Sequence, residues 1–188
     1  MEKIVSKSGY QIRDQAALHF LTFTVCGWID LFTRKIYRDI VLDSFRHCQA
    51  EKSLLIYGYV IMSNHIHIMA QSGNPKIHTL SDIVRDFKRH THKAMMEVVE
   101  SELESRRLWM LHQFKFYGNR NSKNENNQIW TNNNHPEECI SKDFTQIKLN
   151  YIHNNPVRAG IVANPEEYLY SSAANYAGKK GLIDIILL

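Results

Sequence analysis

The ten histidines of this 188-residue chain include two pairs separated by a single residue, His65-Ile66-His67 and His90-Thr91-His92. Composition alone supplies such a triplet roughly half the time, so local structure decides what each pair can do. Residues i and i+2 share a face on a strand and diverge on a helix. His65 and His67 lie in an apolar, β-branched stretch, which puts both imidazoles on one strand face and sends Ile66 and Ile68 to the core. They are then either polar residues on a wet strand or two ligands of a metal ion, and a metal would need a third ligand from elsewhere. His90 and His92 fall in a strongly helical segment and cannot chelate one ion there.

Residues 150–160, NYIHNNPVRAG, offer that third ligand. Tyr151 and Asn155 are four apart, on one face of a helix, so an amide oxygen can complete the site with a phenol beside it. The competing reading is structural: Phe144, Ile147 and Tyr151 form a helical core stripe, and Asn154-Asn155-Pro156 is a helix stop.

The elements that must position these residues follow from hydrophobic period. Residues 19–27 (HFLTFTVCG) read as a strand, and 38–52 as a helix through Ile40, Val41, Phe45 and Cys48. Residues 54–62 and 65–70 read as a hairpin turning at Ser63-Asn64. A long helix is expected over 79–109, with Thr79 and Asp82 as its capping pair. Residues 118–134 hold eight asparagines and read as a mobile loop, interrupted by Trp130 as a tether or a short strand at 128–131. A last helix spans 141–154 and stops before Pro156. This order predicts an α+β fold, an antiparallel sheet with helices packed on one face, in a single domain. The hairpin is too tight for the crossover of a parallel pair.

Composition adds bounds. With 44% apolar and 22% charged residues the chain should fold around a real core, which excludes a disordered or disulfide-scaffold protein. Three scattered cysteines without a CxxC pair fit a reducing, cytoplasmic setting. The first residues lack the apolar run of a secretory signal, and no stretch is apolar enough to span a membrane. A net charge of +4 leans toward an anionic partner without naming one.

Residues 59–69, YVIMSNHIHIM, resemble the HUH signature of single-tyrosine insertion-sequence transposases. Residues 151–162, YIHNNPVRAGIV, followed by 168–176, YLYSSAANY, resemble the tyrosine-bearing end of the REP-associated tyrosine transposase branch. The resemblance runs from about residue 19 to residue 176 and implies a ferredoxin-like sheet acting on hairpin-flanked single-stranded DNA. Carried over by position, it makes His65 and His67 metal ligands and Tyr151 the nucleophile. Asn155 stands where many relatives have Gln, so the third ligand is Asn155, with His153 or Asn154 as substitutes. The ion implied is Mg²⁺ or Mn²⁺. The reaction implied is cleavage through a 5′-phosphotyrosine and later rejoining.

For DNA contact, Arg85, Lys88, Arg89 and Lys93 recur at helical spacing, and Arg158 lies close in sequence to Tyr151. Phe116, Tyr117 and Trp130 are candidate base-stacking residues or core edges. The same residues admit a noncatalytic nucleic-acid-binding module, or a metallohydrolase without a covalent step. The apolar tail 182–188 reads as an edge strand, a dimer contact or a docked extension, which leaves a homodimer open.

Overall fold

A nearly continuous apolar, β-branched run and an alternating His-Ile segment form the hairpin that carries the two histidines. In the structure, a computed structural model that describes residues 11–120 and 127–188, β2 (Leu54–Ile61) and β3 (His65–Ser72) pair antiparallel, and Met62 N–H bonds His65 C=O across the turn (2.9 Å). β1 (His19–Thr24) pairs with β3 on its other side, and β4 (Glu137–Glu138) closes the far edge, giving the order β2-β3-β1-β4, antiparallel throughout. This is the ferredoxin-like arrangement expected from the sequence. β4 has only two residues, too few to show a period.

Helices α1 (Lys35–Lys52) and α2 (Leu80–Glu100) pack together on one sheet face. Their Val41, Phe45, Ile83 and Phe87 meet Leu21, Phe23, Ile66 and Ile68 in the main core. Each such side chain contributes about 1.5–3 kcal/mol on burial. Thr79 caps α2 as expected, accepting from Asp82 N–H (3.1 Å) and donating its hydroxyl to the Asp82 carboxylate (2.6 Å).

The expected long helix is two helices. α2 stops at Ser101, whose hydroxyl bonds Val98 C=O (2.7 Å), and α3 (Arg107–Asn119) follows. Between them Glu104 is drawn inside, taking hydrogen bonds from Tyr37 Oη (2.8 Å) and Arg106 N–H (3.0 Å), with Arg34 at 3.2 Å. Tyr37, distant in sequence, holds Glu104 in the link between the two helices, a contact invisible in the local period.

Part of the asparagine-rich stretch, 121–126, lies outside the described residues. The rest is anchored: Trp130 is buried, bridges to Val25, and donates to Thr91 Oγ1 (3.0 Å). It is a tether rather than a stacking residue.

Helix α4 (Lys142–Arg158) crosses the other sheet face. It buries Leu149 and Ile152 against Phe20, Val60 and Met69 in a second, smaller cluster. Gly58, beside a register shift in β2, permits this approach, because a Cβ there would meet Leu149 Cδ1 at 2.8 Å. The helix runs through Pro156 instead of stopping before it. So near the end the proline costs a single helical bond, and Ala159, Gly160 and Ile161 N–H groups cap the carbonyls of Asn155, Val157 and Pro156, with Gly160 in the left-handed turn (φ +70°).

The outer edge of β2 is covered by the chain's own end. Ile61 N–H bonds Tyr170 C=O (2.9 Å), just before the short helix α5 (Ala173–Tyr176), and Ile186 N–H bonds Ile56 C=O (2.9 Å). The apolar tail is thus a docked extension, which blocks strand addition along this edge. Among the described residues no helix is long and apolar enough to cross a membrane.

Candidate active site

Strand alternation places His65, His67 and Met69 on the α4 side of β3 and Ile66, Ile68 and Ala70 on the α1/α2 side. The two imidazoles are neighbours, with ring centres 4.8 Å apart. Each is held at Nδ1. Asn64 Oδ1 accepts from His65 Nδ1 (2.8 Å), and the orientation of that amide is fixed because its nitrogen donates to Asp30 Oδ1 (2.9 Å) and Trp28 C=O (3.3 Å). His65 therefore carries its proton on Nδ1 and leaves Nε2 as a free lone pair. His67 Nδ1 bonds Thr22 Oγ1 on the paired strand (2.9 Å), while its buried Nε2 has no hydrogen-bond partner among the described residues.

Burial, with His65 and Lys148 close by, pushes the His67 imidazole down to about 3, and burial lowers His65 as well. His67 is neutral at physiological pH, the state in which imidazole ligates metals. An orphaned buried nitrogen beside a second, oriented imidazole fits a metal ion. Among the described residues no group of three His, Cys, Asp or Glu gathers, so further ligands would be amide, solvent or substrate oxygens.

α4 brings Tyr151 to this pair. Its ring centre lies 5.1 Å from that of His67 and 6.0 Å from that of Phe20, which stacks on His67 at 5.2 Å. Tyr151 is 38% exposed and Ile147 62%. The buried face of the helix is Leu149, Ile152, His153 and Pro156, not the Phe144-Ile147-Tyr151 stripe. The Arg158 guanidinium stands 5.5 Å from the Tyr151 ring centre. Of the alternative third ligands, His153 Nε2 bonds Ser172 Oγ (2.9 Å) and Asn154 Nδ2 donates to Asn150 C=O (2.9 Å). Asn155, one turn beyond Tyr151, is half-buried.

The remaining basic candidates are not brought to the histidines. Arg85, Lys88, Arg89 and Lys93 lie on α2, across the sheet. Arg85 and Arg89 pair with Asp82 and Asp86, and Lys88 Nζ is committed to Thr131 C=O (2.6 Å) and Asn134 Oδ1 (2.8 Å). Helical spacing shows that such residues share a stripe but not which sheet face the stripe serves. Sequence reasoning missed Thr22, Asn64 and Lys148, which orient or flank the pair. Asn64 had a signal, as it occupies the turn just before His65; Thr22 is set only by strand register.

No protein-family model matches the chain, and no curated protein matches it. Among solved structures, it is similar to a REP-associated tyrosine transposase bound to a REP hairpin, with a TM-score of 0.59 over 96% of this chain and 94% of that one. At 14% identity the likeness is one of fold.

Proposed function

We propose that the protein is a metal-dependent transferase of single-stranded DNA, with Tyr151 as nucleophile and His65 and His67 as ligands of Mg²⁺ or Mn²⁺. The observation that carries this reading is the juxtaposition of the Tyr151 ring, 5.1 Å from that of His67, with the unpartnered Nε2 of that same histidine. Asn155 is the proposed third ligand by its place one turn beyond Tyr151, with His153 engaged by Ser172. When bound, the metal would polarise the scissile phosphodiester and offset its charge.

The chain's own residues supply the rest. The Tyr151 phenol oxygen forms a bond to phosphorus as the bond from phosphorus to the 3′-oxygen breaks. The phenolic proton is lost to solvent and the departing 3′-oxygen takes one up. The products are a 5′-phosphotyrosine and a free 3′-hydroxyl. Because the phosphoester is retained, a 3′-hydroxyl can reverse the attack and join strands without a nucleoside triphosphate. Arg158 brings a fixed positive charge beside the phenol, where the phosphate must approach. A hairpin substrate is supported by the fold likeness to a hairpin-bound transposase. Arg85, Arg89 and Lys93 would touch only DNA that reaches around the sheet.

The lack of a third His, Cys, Asp or Glu among the described residues favours a second reading, a noncatalytic nucleic-acid-binding module of this fold. Incubation with single-stranded hairpin DNA and Mn²⁺, followed by denaturing electrophoresis, separates the two. The expected result is a covalent adduct that Tyr151→Phe reduces by on the order of 10³-fold or more. Binding without an adduct on any substrate would support the module, and cleavage surviving Tyr151→Phe would mean hydrolysis by water.

A further inference from the structure

Immediately after β1 the chain makes a left-handed step at two successive residues, Gly27 (φ +67°) and Trp28 (φ +55°). Glycine adopts this conformation freely, whereas a residue with a Cβ does so at a cost. The tryptophan gains little from burial in return. It is 66% exposed, more than Trp109 (49%) or Phe116 (44%). Its ring meets that of His65 in a T-shaped contact, with centres 6.1 Å apart, so the exposed indole adjoins the histidine pair.

The turn beneath it is rigidly held. Trp28 N–H bonds Val25 C=O (3.1 Å), Cys26 N–H bonds Ile129 C=O (2.6 Å), and Trp28 C=O accepts from Asn64, the residue that also orients His65. Tyr117 packs so closely on Gly27 that a Cβ there would meet its ring at 2.8 Å. An aromatic side chain kept in the open, on a backbone conformation it disfavours and on a fixed pedestal, is arranged to receive something flat. Beside a site for a phosphodiester, the flat group is a nucleobase.

We propose that Trp28 is the stacking platform for an unpaired base next to the scissile phosphate, fixing which nucleotide lies over the histidine pair. The proposal rests on the single-stranded DNA reading above. It requires the base to be unpaired, since a duplex hides both base faces.

The test uses the full chain carrying Trp109→Phe, metal-free, titrated with oligothymidylate while tryptophan emission is followed; Trp130 is buried and serves as an internal constant. Quenching on saturation is expected with the single strand and not with a duplex. Trp28→Gly should weaken single-strand binding roughly tenfold or more, with Trp28→Phe recovering most of it. Because glycine relieves the backbone, Trp28→Gly should keep or raise Tm, which a structural tryptophan would not allow. Unchanged affinity in Trp28→Gly, silent emission, no binding of single strands at all, or a lower Tm would each overturn the proposal. The adduct assay run alongside keeps the two readings apart. An adduct with a silent Trp28 ends the stacking role and leaves strand transfer standing; quenching and weakened binding with no adduct do the reverse.

Discussion

Two buried polar groups on opposite sides of the sheet are treated in opposite ways. Glu104, among α1, α2 and α3, has its carboxylate answered by a phenol, a backbone amide and two guanidinium groups. His67, under α4, is answered once, at Nδ1, and its second nitrogen is left bare. Around Glu104 the carboxylate itself is fully paired, although Arg106 Nη2 behind it is buried without a partner among the described residues, as His67 Nε2 is. The Glu104 carboxylate is held by the protein's own groups; the His67 nitrogen is left to the metal proposed above. The charged residues divide the same way: arginines on α2 face aspartates of their own helix, while Arg158 faces the tyrosine.

If Glu104 is structural, removing its charge has the largest effect on stability. Glu104→Gln leaves Arg34 and Arg106 without their buried partner and should cost about 3–5 kcal/mol in urea unfolding at neutral pH. Burial alone would raise this carboxyl, but hydrogen bonds from Arg106 and Tyr37 outweigh it and hold it at about 2. Its contribution is therefore complete above the unfolded value near 4.5 and lost as pH falls through about 2. The variant should lose that part of the acid dependence, and an unchanged acid profile would remove the contrast.

On the other side, Thr22→Val keeps shape and deletes the one hydrogen bond that orients His67. Mn²⁺ affinity by calorimetry should fall about 10–100-fold. Equal affinity would mean that His67 is placed by packing on Phe20 alone. The smallest effect is expected from charge: Arg158→Ala should reduce the salt dependence of single-strand binding by about one unit of slope, and Arg89→Ala should leave it unchanged. Equal losses would show DNA touching both faces.

What was legible in the sequence depended on the range of the cause. The hairpin follows from a continuous apolar run that stops at Ser63-Asn64, and the shared face of His65 and His67 from the two-residue repeat of a strand, both local causes. The Thr79 cap is equally local. The contact that holds the link before α3, between Glu104 and Tyr37, joins residues far apart in sequence. The passage of α4 through Pro156 ends in capping bonds made beyond the proline. At the site, the tyrosine and histidines were readable as residue types in order, but the assignment of the α2 arginines and lysines was not. A helix with two polar flanks does not announce which side of a sheet it will cover. Trp28 gave no periodic signal, because its distinction is a backbone angle and an exposed ring.

The sheet order carries a consequence for motion. β3 and β1, which hold His65, His67 and Thr22, are the inner strands, paired on both sides. Amides of inner strands open less readily than those of surface elements, so the amides around the histidine pair are expected among the slower to exchange. Tyr151 instead rides on a helix anchored by a small cluster and lined with exposed residues. The two halves of the proposed site thus stand on elements of different kind, imidazoles on an inner strand and a phenol on a surface helix, and hydrogen exchange is expected to rank the strand amides as the slower set.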